Sequence, residues 1–115
     1  MAVKIYHNPR CTKSRQTLAL LQERGIKPQV IEYLQNPPTV KELEAILQML
    51  GMKPRDLMRK GESVYKEQEL DREKMTHGQL IDAMIHSPIL LERPIVIANG
   101  KAAIGRPPEN VLEIL

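Results

Sequence analysis

The chain has 115 residues, 42% hydrophobic and 27% charged, and its 17 Lys and Arg against 14 Asp and Glu leave a net charge of +3. That length and balance indicate one globular domain and exclude a disordered or fibrous chain. With no Trp or Phe and only Tyr6, Tyr33 and Tyr65, the core must be aliphatic, and a module that reads single strands by base stacking is disfavoured. Charges of both signs are spread along the chain, which argues against a nucleic-acid partner. No apolar run approaches the ~20 residues that span a bilayer, and the opening Met-Ala-Val-Lys-Ile-Tyr does not read as a signal peptide, so the expectation is a cytoplasmic protein without membrane contact. The single cysteine, Cys11, rules out an intramolecular disulfide and a Cys-rich zinc site together.

Val3 to Tyr6 reads as a strand that stops at His7-Asn8-Pro9. A helix is predicted from about Thr12 to Arg24, with Ser14, Leu18 and Leu21 on one face and Gly25 as its left-handed stop. Gln29 to Tyr33 is a second strand, which completes a βαβ unit. Thr39-Val40-Lys41-Glu42 has capping-box spacing and opens a helix with Leu43, Ile46, Leu47 and Leu50 inward, closed by Gly51. Short helical pieces are expected at Pro54–Arg59 and Glu62–Gln68. A second capping box at Thr76-His77-Gly78-Gln79 opens a helix with Leu80, Ile81, Met84 and Ile85 inward. Met49, Met52, Met58, Met75 and Met84 are read as adaptable core filling.

Pro94–Ala98, Asn99-Gly100 and Lys101–Ile104 form a hairpin around a two-residue type I′ turn. Gly105-Arg106-Pro107-Pro108 then launches a last helix carrying Val111, Leu112 and Leu115. The order βα, β, helical insert, ββα describes a small α/β sheet with a helical subdomain. It is read as one domain over residues 1–115, with the insert at about 36–92.

The chemistry concentrates in His7-Asn8-Pro9-Arg10-Cys11-Thr12-Lys13-Ser14-Arg15. The only cysteine lies between a strand end and a helix start, where free amides and the helix dipole favour a thiolate and cradle an anion. Arg10, Lys13 and Arg15 add positive charge, and His7 adds more if protonated; such surroundings make a cysteine nucleophilic. The plainer alternative is a small buried hydrophobe, as many unpaired cysteines are. Ser14 either bonds a free first-turn amide or stands where a Cys-x-x-Cys motif has its second sulfur, in which case the site needs an external thiol to resolve a mixed disulfide. A Cys-x5-Arg phosphate loop is absent, since position 17 is Thr17. His7, His77 and His86 are scattered and no His-Glu-x-x-His occurs, so neither a hydrolase triad nor a metal site is predicted.

Several blocks, taken in order, resemble the glutaredoxin-coupled arsenate reductases of the ArsC family, and most of all its short, YfgD-like branch. They are Tyr6-His7-Asn8-Pro9 before Cys11, Ser14-Arg15 after it, Tyr33-Leu34 with Pro37-Pro38-Thr39, Leu57-Met58-Arg59-Lys60, Leu80-Ile81 with Pro88-Ile89-Leu90, Arg93-Pro94-Ile95-Val96, and Gly105-Arg106-Pro107 leading to Val111–Leu115. The resemblance implies a thioredoxin-like fold and a Cys11 thiolate that attacks arsenate or a similar oxyanion. It also implies no bound cofactor, with glutathione as co-substrate and glutaredoxin as the partner that clears the mixed disulfide.

By the same resemblance His7 and Ser14 support Cys11, Arg59, Arg93 and Arg106 hold the oxyanion, and Pro94 is a cis proline that brings Arg93 beside Cys11. Forked guanidinium groups suit tetrahedral oxyanions, which agrees with these assignments. The competing classes are a non-catalytic regulatory or protein-binding module of the same superfamily, and a thiol reductase with another substrate. Arg10-Cys11-Thr12-Lys13 carries more positive charge than the small residues usual around the family's cysteine.

Overall fold

The computed structural model describes residues 2–115, which form two compact units: the chain up to Asn36 together with Arg93–Leu115, and Pro37–Glu92. The first unit carries the sheet. Strand β1 (Val3–His7) lies between β2 (Gln29–Glu32), with which it runs parallel, and β3 (Ile95–Ala98), with which it is antiparallel; β4 (Lys101–Ile104) completes the order β2-β1-β3-β4. This mixed sheet, with helix α1 (Thr12–Glu23) connecting β1 to β2, is the thioredoxin-like arrangement.

Strand periodicity sends Val3 and Ile5 of β1 and Val96 and Ala98 of β3 to one face, where they form a core with Leu21 of α1 and with Val111 and Ile114. Ile5 pairs with Val96 across β1 and β3 and with Val30 across β1 and β2. The hairpin turn has Asn99 at φ 56° and Gly100 at φ 71°, the left-handed pair that a type I′ turn demands.

Helix α1 ends as its glycine predicts. Gly25 takes φ 74°, its N–H bonds the Gln22 carbonyl, and the Ile26 N–H returns to the Leu21 carbonyl. Its inner face differs from expectation: Ser14, Thr17 and Leu21 are fully enclosed and Leu18 only partly. Thr17 tolerates burial because its hydroxyl donates to the Lys13 carbonyl at 2.8 Å.

The last segment also differs. Residues Pro108–Ile114 form a 3-10 helix, and the buried side chains are Pro108, Val111 and Ile114, while Leu112 and Leu115 are half-buried. Three residues per turn stack every third side chain, so the inward stripe follows 108, 111 and 114 rather than an α-helical spacing.

In the second unit, α2 (Val40–Leu50) and α3 (Ser63–Glu67) precede α4 (His77–His86), and α2 packs against α4. Both expected capping boxes are present: Thr39 and Glu42 bond each other's backbone amides, as do Thr76 and Gln79. Leu43, Ile46 and Leu47 of α2 and Leu80, Ile81 and Met84 of α4 are buried. Residues Pro54–Leu57 and Pro88–Leu90 are 3-10 turns joined by an isolated bridge between Met58 and Leu91. Met58 and Met84 are buried, whereas Met49, Met52 and Met75 are half-buried. Among the described residues, no helix is long and apolar enough to cross a membrane.

Candidate active site

The loop from Asn8 to Cys11 turns the chain from β1 into α1. The Cys11 N–H bonds the Asn8 carbonyl at 3.0 Å, the Arg10 N–H bonds the Asn8 side-chain oxygen at 3.0 Å, and the Arg15 N–H bonds the Cys11 carbonyl as the first helical bond. Cys11 is therefore the N-cap residue, with extended backbone angles (φ −93°, ψ 123°) and no capping bond from its side chain. Amides at the start of a helix lack intrahelical acceptors, and the dipole adds positive potential there. Cys11 is enclosed, with the residue only 8% exposed.

What meets the sulfur is a guanidinium. Arg106 Nη2 donates to Cys11 Sγ at 3.7 Å, and Arg106 Nε donates to the Arg93 carbonyl at 2.8 Å. The Arg93–Pro94 bond is cis, as expected, and Arg106–Pro107 is a second cis bond that the sequence reading did not include. Arg93 keeps two buried guanidinium nitrogens, Nε and Nη1, without a hydrogen-bond partner among the described residues. Buried donors left open are costly, so an anion that reaches them gains charge-assisted bonds. Cys11 and the Arg106 guanidinium thus meet from the two ends of the chain, and the Arg93 backbone carbonyl holds that guanidinium.

Close packing makes this assembly possible. A Cβ built on Gly105 would lie 2.4 Å from Thr17 Oγ1 and 2.8 Å from Pro94 Cγ, and the Gly105 N–H bonds the Pro94 carbonyl at 2.9 Å. The sequence marks Gly105 only within the Gly105-Arg106-Pro107 block and Thr17 only as the residue that breaks a Cys-x5-Arg spacing, not as a packing contact.

A family model for the ArsC family matches residues 6–114. The chain belongs to the ArsC family. It is 50% identical over 114 residues to an arsenate reductase of Neisseria meningitidis, covering 98% of this chain and 97% of that protein. It is 55% identical to Escherichia coli protein YfgD, covering 98% and 96%. The solved arsenate reductase from Vibrio cholerae superposes with a TM-score of 0.97 at 53% identity, covering 100% of this chain and 98% of that one.

In this ArsC-family chain the remaining predicted residues fall as follows. Ser14 Oγ sits 2.6 Å from His7 Nδ1 and accepts the Asn8 N–H at 3.1 Å, so it fastens the loop to the end of β1 rather than capping a helical amide. His7 is buried, and its pKa lies below the ordinary 6.5 mainly through desolvation; Glu32 opposes the shift and Arg15 reinforces it. His7 is thus biased toward the neutral ring and brings no fixed positive charge to the cysteine at neutral pH. Arg59 belongs to the unit Pro37–Glu92, where its guanidinium pairs with Glu62 at 2.6 Å and approaches Glu92 at 3.8 Å. Arg10 and Lys13 are exposed.

The His7 shift has a measurable consequence. A histidine with a depressed folded-state pKa binds its proton more readily in the unfolded chain, so its contribution is complete above 6.5 and is lost as pH falls toward the folded value. Urea midpoints at about pH 7.5 and about pH 5.5 should therefore fall further for the natural protein than for His7→Asn. Equal falls in the two proteins would show that His7 does not carry this dependence.

Proposed function

We propose that this protein is an arsenate reductase whose nucleophile is Cys11 and whose reductant is glutathione, with glutaredoxin as partner. The observation that carries the reading is the Cys11 sulfur facing Arg106 Nη2, while Arg93, whose carbonyl the same guanidinium holds, keeps two buried donors open. The 50% identity to the arsenate reductase of Neisseria meningitidis supports arsenate as the oxyanion.

In the proposed sequence the Cys11 thiolate attacks arsenic, an S–As bond forms, and one arsenate oxygen leaves as water after protonation. Arg93 and Arg106 bind the remaining oxygens and stabilise charge as the bond forms. A glutathione thiolate then attacks Cys11 Sγ. The S–As bond breaks with its electron pair passing to arsenic, which leaves as arsenite, and a Cys11–glutathione disulfide remains. A thiolate of glutaredoxin attacks the glutathione sulfur and releases the Cys11 thiolate. Lacking a second cysteine, the chain relies on this external thiol. Ser14 and His7 support the reaction by holding the loop that carries Cys11. Arg59 is proposed as an oxyanion ligand on the family resemblance alone.

The test is NADPH oxidation coupled through glutathione reductase, with glutathione, a glutaredoxin and arsenate supplied. Oxidation should require arsenate and each thiol component, and Arg106→Ala should lower kcat/KM by about 10²-fold. A folded protein whose Cys11 still alkylates but which drives no arsenate-dependent oxidation would overturn arsenate as the substrate.

A further inference from the structure

Cys11 occupies the N-cap without a capping bond from its side chain. Ser, Thr, Asn and Asp are favoured there because their side chains accept a first-turn amide. The turn is closed from elsewhere. Arg15, one helical turn beyond Cys11, folds its side chain back so that Nη1 donates to the Pro9 carbonyl at 2.9 Å and Nη2 to Thr12 Oγ1 at 3.3 Å. Its backbone N–H meanwhile bonds the Cys11 carbonyl at 3.0 Å. One residue thus grips the chain two positions before the cysteine, at the cysteine and one position after it.

We propose that Arg15 is a positioning residue that braces the loop across the uncapped helix start and holds Cys11 Sγ in place against Arg106 Nη2. The planar guanidinium suits this task, since it fixes two donors in one rigid fork, which a lysine cannot do. Both of these Arg15 side-chain bonds go to the loop and the first turn rather than to the sulfur. The sequence suggests only added positive charge; the geometry assigns a mechanical role. For turnover this rests on the reading of Cys11 as the nucleophile, but the brace itself is testable on the thiol alone.

The experiment compares the natural protein with Arg15→Ala and Arg15→Lys in two assays, iodoacetamide alkylation of Cys11 at fixed pH and arsenate turnover, with folding checked by thermal melts. Arg15→Ala should slow alkylation and lower kcat by about tenfold while KM for arsenate stays unchanged, because the loop relaxes without loss of an oxyanion ligand. Arg15→Lys, which supplies one donor at a time, should fall between the two and provides the comparison if Arg15→Ala does not fold. Unchanged alkylation and kcat in folded Arg15→Ala, or full recovery in Arg15→Lys, would overturn the brace. So would a raised KM with kcat and alkylation intact, which would make Arg15 a ligand instead. If the natural protein reduces no arsenate, the alkylation series still decides the proposal, because it requires no oxyanion.

Discussion

Cys11→Ser should abolish arsenate turnover, by at least roughly 10³-fold, while leaving the protein as stable as before or slightly more so. The two effects have separate origins. A serine hydroxyl stays protonated at neutral pH, so neither Arg106 nor the helix start can turn it into the attacking anion, and no S–As bond or glutathione disulfide can form. At the N-cap, however, Ser is a preferred residue: its oxygen can accept an amide of the first turn, which the Cys11 side chain does not do. The gain should be ~0.5–1 kcal/mol, read as a higher urea midpoint with an unchanged slope. Loss of turnover with stability retained would mark Cys11 as a residue kept for chemistry at some cost to the helix. A Cys11→Ser protein that still reduced arsenate would end the proposed mechanism.

The parts of the fold visible in the sequence are those that local chemistry dictates. Asn99-Gly100 between two β-prone runs, Thr39 and Thr76 each followed three residues later by Glu or Gln, and Gly25 after a helical stretch all bind or satisfy near neighbours. Each therefore leaves a mark within a few residues. The site was legible in part for the same reason: Cys11 between strand and helix is a local pattern.

What was not legible depends on partners brought together by folding. Thr17 looked like an ordinary helix residue because its burial beside Gly105 requires the other end of the chain. Arg15 read as charge because spacing does not reveal that its side chain turns back to Pro9. His7 read as an aid to the thiolate when protonated, whereas burial favours the neutral ring. The C-terminal segment has apolar residues compatible with either helical period, and its packing selects the three-residue repeat of Pro108, Val111 and Ile114.

Gly105→Ala tests whether close packing delivers Arg106 to the sulfur. The added methyl would meet Thr17 Oγ1 at 2.4 Å and Pro94 Cγ at 2.8 Å, and neither neighbour yields easily. Thr17 is β-branched and its hydroxyl is bonded to the Lys13 carbonyl, while the Pro94 ring carries no flexible tail. The backbone at 105 must therefore retreat, weakening its bond to the Pro94 carbonyl and carrying Arg106 away from the Arg93 carbonyl and from Cys11 Sγ. Overpacking of this kind costs about 1–3 kcal/mol of stability. Turnover should fall further than stability alone explains, by about 10²-fold, because a small displacement of a charge-stabilising group is enough to do so. Thr17→Ala removes the nearest obstacle but leaves the Pro94 contact, so the double variant Thr17→Ala/Gly105→Ala should recover part of the lost stability and activity, giving a coupling that two independent sites would lack. Wild-type stability and turnover in Gly105→Ala would mean that the close approach of Gly105 to Thr17 and Pro94 does not set the position of Arg106.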